Sequence, residues 1–499
     1  MTPPADQCPR TWPGDELRLT DTGVRSHVVG VAMFSLPFVG LALYTVWLGV
    51  LSEPHALVLA KALTAVDRGR LEVIGFAYPP VPYLLASVWP TRWALAGLAG
   101  VTAGATAWIL WRDLCRSGLP LVIRVMLLAS VALTPSMLFL ATQSFPEMLA
   151  LHLFLVAWHY HLNFVRAGHT WSGFLAGLVL GLAFFASFYA IVFALAFALS
   201  SPIYSRLAKD RGAPWLQADV ARMIVILFPA IWSLLSWGYL NWVFTGHAFH
   251  SFGAVSTTDL APVSTGQVPD MVQQALQQTG AELLYQPLFL AVAVLNVLRN
   301  RLRGIAFLSV PLILAGIRVV GFTVSELFVL GLYGLIALSS VPRRVAPRWG
   351  VALVVVALLQ FISSAAPQQQ AAHGWQSSAR LSWLSSENVA EQEIGRRLAR
   401  AGSRAILADD QSAYRVIART GSARPFLLPA DAVFTAALAE PHQHVAYVLV
   451  TANSGDPLDR VSTRFAGGPP DGFVLDAVLD GWVLYRRGDV PSLLSTAAQ

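Results

Sequence analysis

The sequence predicts a mainly α polytopic membrane protein of about eleven transmembrane helices, followed by a small C-terminal α/β domain. Three observations predict it. Only 12% of the 499 residues are charged, against about 25% in an ordinary soluble protein. Apolar runs of spanning length recur from Val28 to Ala366. The basic residues sit in short clusters between those runs, as orientation signals do. This composition excludes an ordinary soluble enzyme and a disordered chain. The clustering also turns the net charge of +6 away from a nucleic-acid partner.

The first 27 residues are polar and of mixed charge, with Asp15, Glu16, Arg18, Asp21 and Arg25, and read as a cytoplasmic tail. They are too acidic for a signal peptide, so the run Val28–Leu51 is expected as an uncleaved first span. Further spans are expected at 93–111, 120–140, 148–164, 172–186, 187–203, 223–244, 285–298, 304–320, 324–341 and 349–366. Residues 28–366 thus form the membrane domain, with long loops at 52–89 and 246–283. Arg112, Arg116, Arg166, Lys209, Arg211, Arg299, Arg301, Arg343 and Arg344 all fall on one side if the amino terminus is cytoplasmic. The 246–283 loop holds no Lys or Arg. That alternation puts residues 367–499 outside the cytoplasm. Cys8 and Cys115 then both face the cytoplasm, and no disulfide framework is implied.

From Pro367 onward the composition changes to twelve Arg against thirteen Asp plus Glu, with no spanning run. A Gln-rich linker, Pro367–Ala372, leads into an expected amphipathic helix at 386–402 and a short strand at Arg404–Ala408. Helices are expected at 411–420 and 431–440, a central strand at His444–Val450, and a hairpin at Phe473–Tyr485 turning on Asp480-Gly481. Strands alternating with helices imply a mixed sheet. No Gly-rich phosphate loop follows a strand.

Chemistry-bearing residues concentrate on the outer side. In the first outer loop, Ala56, Leu59, Leu63 and Val66 share one helical face over 53–68, and Lys61, Thr64 and Arg68 share the other. Such a helix is expected to lie in the headgroup plane. The run Tyr78-Pro79-Pro80-Val81-Pro82 is expected to forbid a regular helix start and to form a rigid, extended re-entry. Glu147 stands at the outer end of the fourth span and Arg318 at that of the ninth. Carboxylates there suit a general base, and Arg suits a phosphate. A Glu at a helix start is equally a charge complementing the helix dipole, and an interfacial Arg equally a snorkelling one. His152 and His159 lie two turns apart, which is not metal-pair spacing; His247 and His250 lack accompanying ligands. Asp409-Asp410 reads as a helix cap or a solvated loop.

Taken in order, these features resemble the GT-C superfamily of polytopic glycosyltransferases, within it the protein O-mannosyltransferase and aminoarabinose transferase groups. The carrying residues are Ser52-Glu53-Pro54-His55 after the first span, Tyr78-Pro79-Pro80, Pro146-Glu147, and the Gly-Leu-rich Gly177–Leu182. The family's usual Asp-Glu pair is Ser-Glu here, and Asp67 is a substitute base in the same loop. The resemblance implies a bacterial inner-membrane enzyme moving a sugar from a polyprenyl-phosphate donor to an extracytoplasmic acceptor: a glycolipid, a cell-envelope polysaccharide or a protein. It implies Glu53, Glu147 or Asp67 as the catalytic carboxylates, and Lys61, Arg68, Arg70 and Arg318 as cations for the leaving phosphate. No cofactor is required; some members use a divalent metal, and no ligand cluster here demands one. Two other readings stay open: a transporter or flippase of a lipid-linked intermediate, and a non-catalytic scaffold.

Overall fold

The computed structural model describes residues 21–75, 78–167, 169–207, 215–248, 268–299, 301–319, 324–342, 345–364, 386–403, 405–452, 459–465, 467–479 and 481–493. Cys8, His250, Asp480, the Pro367–Ala372 linker and much of the 246–283 loop lie outside these residues. The chain divides into two compact units. One comprises 1–40, 99–141 and 146–373; the other comprises 41–98, 142–145 and 374–499.

The first unit is a helical bundle. Among the described residues, five helices are long and apolar enough to cross a membrane: Arg25–Trp47, Arg92–Arg116, Phe145–Val165, Asp219–Thr245 and Pro347–Ser364. Two bent pairs, Leu121–Ala132 with Pro135–Gln143 and Asp270–Leu284 with Pro287–Arg299, turn by 67° and 91° and raise the number to seven if each is one span. Four shorter apolar helices follow the remaining expected segments, at Thr170–Phe184, Ala190–Ile203, Gly304–Val319 and Glu326–Ser339. Among the described residues, helices fall within the expected segments, but only five, or up to seven, are of spanning length. Thr170–Phe184 has 15 residues, about 22 Å of helix against a hydrocarbon core of about 30 Å.

Lipid offers no hydrophobic drive for helices to associate, so close approach of backbones takes over. At Gly177 a Cβ would stand 2.1 Å from the Ile226 carbonyl oxygen, and at Gly181 2.8 Å from Ser233 Oγ. The Gly-Leu run thus serves to seat its helix against Trp215–Thr245.

In the second unit we label helices α1 (Asp21–Trp47, whose end belongs here), α2 (Glu53–Arg68), α3 (Pro80–Val88) and α4 (Arg92–Arg116, whose start belongs here). Its sheet has the order β2-β1-β3-β5-β4, with β1 Ile406–Leu407, β2 Phe426–Leu427, β3 Tyr447–Thr451, β4 Phe473–Leu479 and β5 Trp482–Arg487. β1 pairs in parallel with β2 and β3, and β5 runs antiparallel to β3 and β4. Leu407, Val448, Val450, Phe434 and Phe473 form the buried core beneath it. The expected central strand and terminal hairpin are present.

One expectation about the first loop is corrected. Prolines 80 and 82 do not prevent a helix start: α3 begins at Pro80, with Pro79 in the capping position. The first turn of a helix leaves its N–H groups unused, so a proline there forfeits nothing and presets φ.

Candidate functional site

The second unit gathers Glu53, Lys61, Asp67, Arg68, Arg70, Tyr78, Pro79 and Pro80; Glu147 and Arg318 belong to the bundle.

α2 forms because its ends are capped as well as because its pattern is amphipathic. Ser52 takes the N-cap position and its hydroxyl accepts from the His55 N–H, Pro54 sits in the first turn, and Gly69 closes the helix at φ 65°. Ser52 also donates through its backbone N–H to Gln143 Oε1 at 3.2 Å and through its hydroxyl to the Gln143 carbonyl. Gln143 Nε2 in turn donates to Thr45 Oγ1 at 2.8 Å. The Phe145 N–H donates to His55 Nε2 at 3.0 Å. Burial pulls the His55 pKa down to about 3, which matches a neutral ring accepting a hydrogen bond at that nitrogen. Ser52 is therefore a cap and an anchor.

Glu53 begins α2 with its side chain 67% exposed. Its neighbours come from the Tyr414–Thr420 helix of the α/β domain. Arg415 Nη2 lies 3.8 Å from Glu53 Oε2, and the Glu53 charge acts on the Tyr414 hydroxyl. Burial, with the nearby Glu53 charge second, raises the Tyr414 pKa. Arg415 also reaches the buried Glu391 at 3.4 Å. Arg419, one turn beyond Arg415, donates to the carbonyl of Gly49 in the loop leading to α2. Its pKa falls to about 10, chiefly by burial; Glu391 opposes that, and the charges of Arg92 and Arg415 add to it. A solvated carboxylate at a helix N-terminus, with the Arg415 guanidinium beside it, can accept a proton from a hydroxyl brought to it.

The other loop residues have structural partners. Lys61 Nζ lies 2.6 Å from Asp410 Oδ2, with both side chains about nine-tenths buried, and 5.7 Å from the Tyr78 ring centroid. Burial pulls the Lys61 pKa down, but the Asp410 carboxylate outweighs it and the net shift is upward. Arg68 Nη2 lies 2.8 Å from Asp431 Oδ2 and donates to the Phe426 carbonyl at 2.6 Å. Asp67 accepts from Ser422 Oγ at 2.8 Å and from the Ala423 N–H at 2.7 Å. The face of α2 expected in the headgroups is thus covered by protein. Arg70 is the open cation of this loop, its side chain 62% exposed and 3.4 Å from Glu72.

In the bundle, Glu147 lies in the first turn of Phe145–Ala167 and is half-buried. Arg318 is buried, paired with Glu282 and donating to Thr279 Oγ1 at 2.7 Å. Glu282 and Thr279 come from Val268–Leu284, a helix within the stretch expected as a loop. His152 faces Thr106 Oγ1 at 3.0 Å and His159 faces Asp113 at 2.5 Å, so the two imidazoles serve different partners. Among the described residues no group of three or more His, Cys, Asp or Glu is placed to hold a metal ion.

Sequence reasoning missed Tyr414, Arg415, Arg419 and Gln143, and named His55 only as part of the motif after the first span. The spacing of Arg415 and Arg419, one turn apart, was the legible sign of a basic helix face. Nothing in the sequence tied it to residue 53.

No protein-family model and no curated protein sequence matches the chain. Solved structures do. The crystal structure of ArnT from Cupriavidus metallidurans bound to undecaprenyl phosphate matches with TM-score 0.55 and 13% identity, covering 92% of this chain and 98% of that one. At that identity the likeness speaks for the fold. The chain, with several helices long and apolar enough to cross a membrane, shares the fold of ArnT, as the GT-C resemblance implied.

Proposed function

We propose that this protein is a membrane glycosyltransferase that moves a sugar from a polyprenyl-phosphate donor to an acceptor outside the cytoplasm. The observation that carries the reading is Glu53. It is an exposed carboxylate held at the start of α2 by Ser52, in a chain whose fold is shared with a protein bound to undecaprenyl phosphate.

The reaction is a single displacement with inversion. An acceptor hydroxyl attacks the anomeric carbon, its proton passes to Glu53, and the bond to the polyprenyl phosphate oxygen breaks. The phosphate leaves as an anion. Arg70 is the cation of the first loop best placed to meet it, because its pair with Glu72 is open to solvent while Lys61, Arg68 and Arg318 hold carboxylates in buried pairs. Catalysis is positioning plus charge stabilisation. In this reading the amino terminus is cytoplasmic, and the first loop and the α/β domain face outward from a bacterial inner membrane.

The test is reconstitution of the full chain in liposomes with radiolabelled polyprenyl-phosphate sugars and an envelope extract as acceptor. Label should pass to the extract with wild-type protein and not with Glu53→Gln. Equal transfer by both proteins removes Glu53 as the base. Absence of transfer, with unchanged envelope sugars in a deletion strain by mass spectrometry, rejects the reading.

A further inference from the structure

The parallel part of the sheet has β1 between β2 and β3. The chain leaves β1 for a neighbour on one side and later returns on the other. In open α/β sheets the carboxyl end of such a strand borders the crevice where ligands bind. Here that crevice is lined with carboxylates. Asp409 and Asp410 follow β1 after Ala408. Asp409 accepts from the N–H groups of Gln411 and Arg460 at 3.1 and 3.0 Å, joining the end of β1 to the helix after β3. Asp459, 1% exposed, caps that helix by accepting from the Ser462 N–H at 2.8 Å. Asp431 follows β2 and accepts from the Leu428 N–H at 2.9 Å.

What fills the crevice is α2. Lys61 reaches Asp410 beyond β1, and Arg68 reaches both Asp431 and the Phe426 carbonyl of β2. The two cations stand seven residues apart on one helix face, about 10 Å along the axis. Two fixed points at that spacing set both the rotation and the translation of a helix. A third grip comes from Arg419 on the Gly49 carbonyl, just before the N-cap.

We propose that the carboxylate-lined crevice of the α/β domain is a docking site for α2, and that Asp410 and Asp431 are positioning residues for Glu53. The occupant of the crevice is this chain's own first loop, so it binds no sugar or nucleotide there. The docking stands on the geometry alone, and its catalytic consequence rests on the transferase reading above.

The experiment uses the full chain in membranes with a protease site inserted within 367–385. After cleavage and a high-salt wash, the α/β domain should stay on the membrane in the wild type, because buried pairs are poorly screened. Lys61→Asp and Asp410→Lys should each release it. Their combination, and Lys61→Arg alone, should retain it. Retention by Lys61→Asp, or release by Lys61→Arg, overturns the docking. In the uncleaved chain, Lys61→Asp should lower kcat at least tenfold with donor KM unchanged, and the double variant should recover it. Release on cleavage with undiminished kcat overturns the positioning role. If the wild type transfers no sugar, the transferase reading fails, while the retention pattern still decides the docking.

Discussion

The two units solve the problem of holding distant segments together in different ways. The bundle, beside its buried Arg318–Glu282 pair, uses missing side chains: Gly177 and Gly181 let one helix lie on the backbone of another. The second unit uses charge: Lys61–Asp410 and Arg68–Asp431 join residues 349 and 363 positions apart. The difference follows the solvent. Between lipid-facing helices, contact must come from close packing. Where helix meets sheet in an aqueous domain, apolar burial supplies the drive, and buried ion pairs add a penalty for every wrong register. One consequence is that charges in the second unit divide into those spent on assembly and those open to a ligand. Asp67 is of the first kind and Glu53 of the second.

The largest expected effect breaks or confirms that division. Glu53→Gln should reduce transfer by about 10²–10⁴-fold, the usual contribution of a positioned base. Asp67→Asn should leave kcat within about threefold and lower the thermal midpoint, because that carboxylate holds the Ser422–Ala423 turn. Turnover of both variants and their unfolding by differential scanning fluorimetry check this. A turnover loss in Asp67→Asn as large as in Glu53→Gln would erase the distinction. Glu147→Gln should cost less than Glu53→Gln, since its position in a helix first turn gives it a dipole-complementing role.

The bundle side is sharpened by glycine. Gly177→Ala should destabilise the protein by about 1–3 kcal/mol through overpacking, because the added methyl meets the Ile226 carbonyl. Gly316→Ala, with nothing within 4 Å of the new Cβ, should stay within about 0.5 kcal/mol of wild type. Equal melting of the two variants in detergent would mean that the Gly-Leu run is not a packing device.

A smaller effect concerns the open cation. A charge-assisted hydrogen bond is worth about 1.5–3 kcal/mol, so Arg70→Ala should weaken donor use about tenfold, read as donor KM. Arg68→Ala should act through stability instead. Unchanged donor kinetics in Arg70→Ala would place the phosphate elsewhere.

The smallest expected effect is on pH dependence in the second unit. Burial, with Asp410 and Asp459 adding, raises the Asp409 pKa to about 6 while backbone hydrogen bonds oppose it. The folded state then binds more protons than the unfolded one between about pH 4 and 6, so this group's stabilisation is fullest in acid and is lost as pH rises through 6. His55, held neutral, does the reverse: its stabilisation is lost as pH falls below its unfolded value near 6.5 toward about 3. Asp409→Asn removes one of these opposing slopes. Its thermal midpoint should therefore drop more steeply than that of wild type from pH 7 to pH 5, and parallel curves would rule out titration of Asp409 in that range.

The sequence by itself determined what periodicity and local chemistry can encode. The apolar runs gave the helices, the short apolar run His444–Val450 gave the central strand, and the amphipathic spacing of Ala56, Leu59, Leu63 and Val66 gave α2. These signals lie within a few residues of what they specify. β2 was not legible, because two residues after Pro425 carry no period. The length of each helix was also misjudged where hydropathy continued past the backbone break, as at Thr134 between Leu121–Ala132 and Pro135–Gln143. Partner choice belonged to the tertiary structure. The basic face of α2 has the pattern of a headgroup-facing surface, and no local feature distinguishes that from a face buried on carboxylates three hundred residues later. Only the folded sheet, by bringing the residues after β1 and β2 to one edge, decided that Lys61 and Arg68 are consumed in assembly while Glu53 stays open.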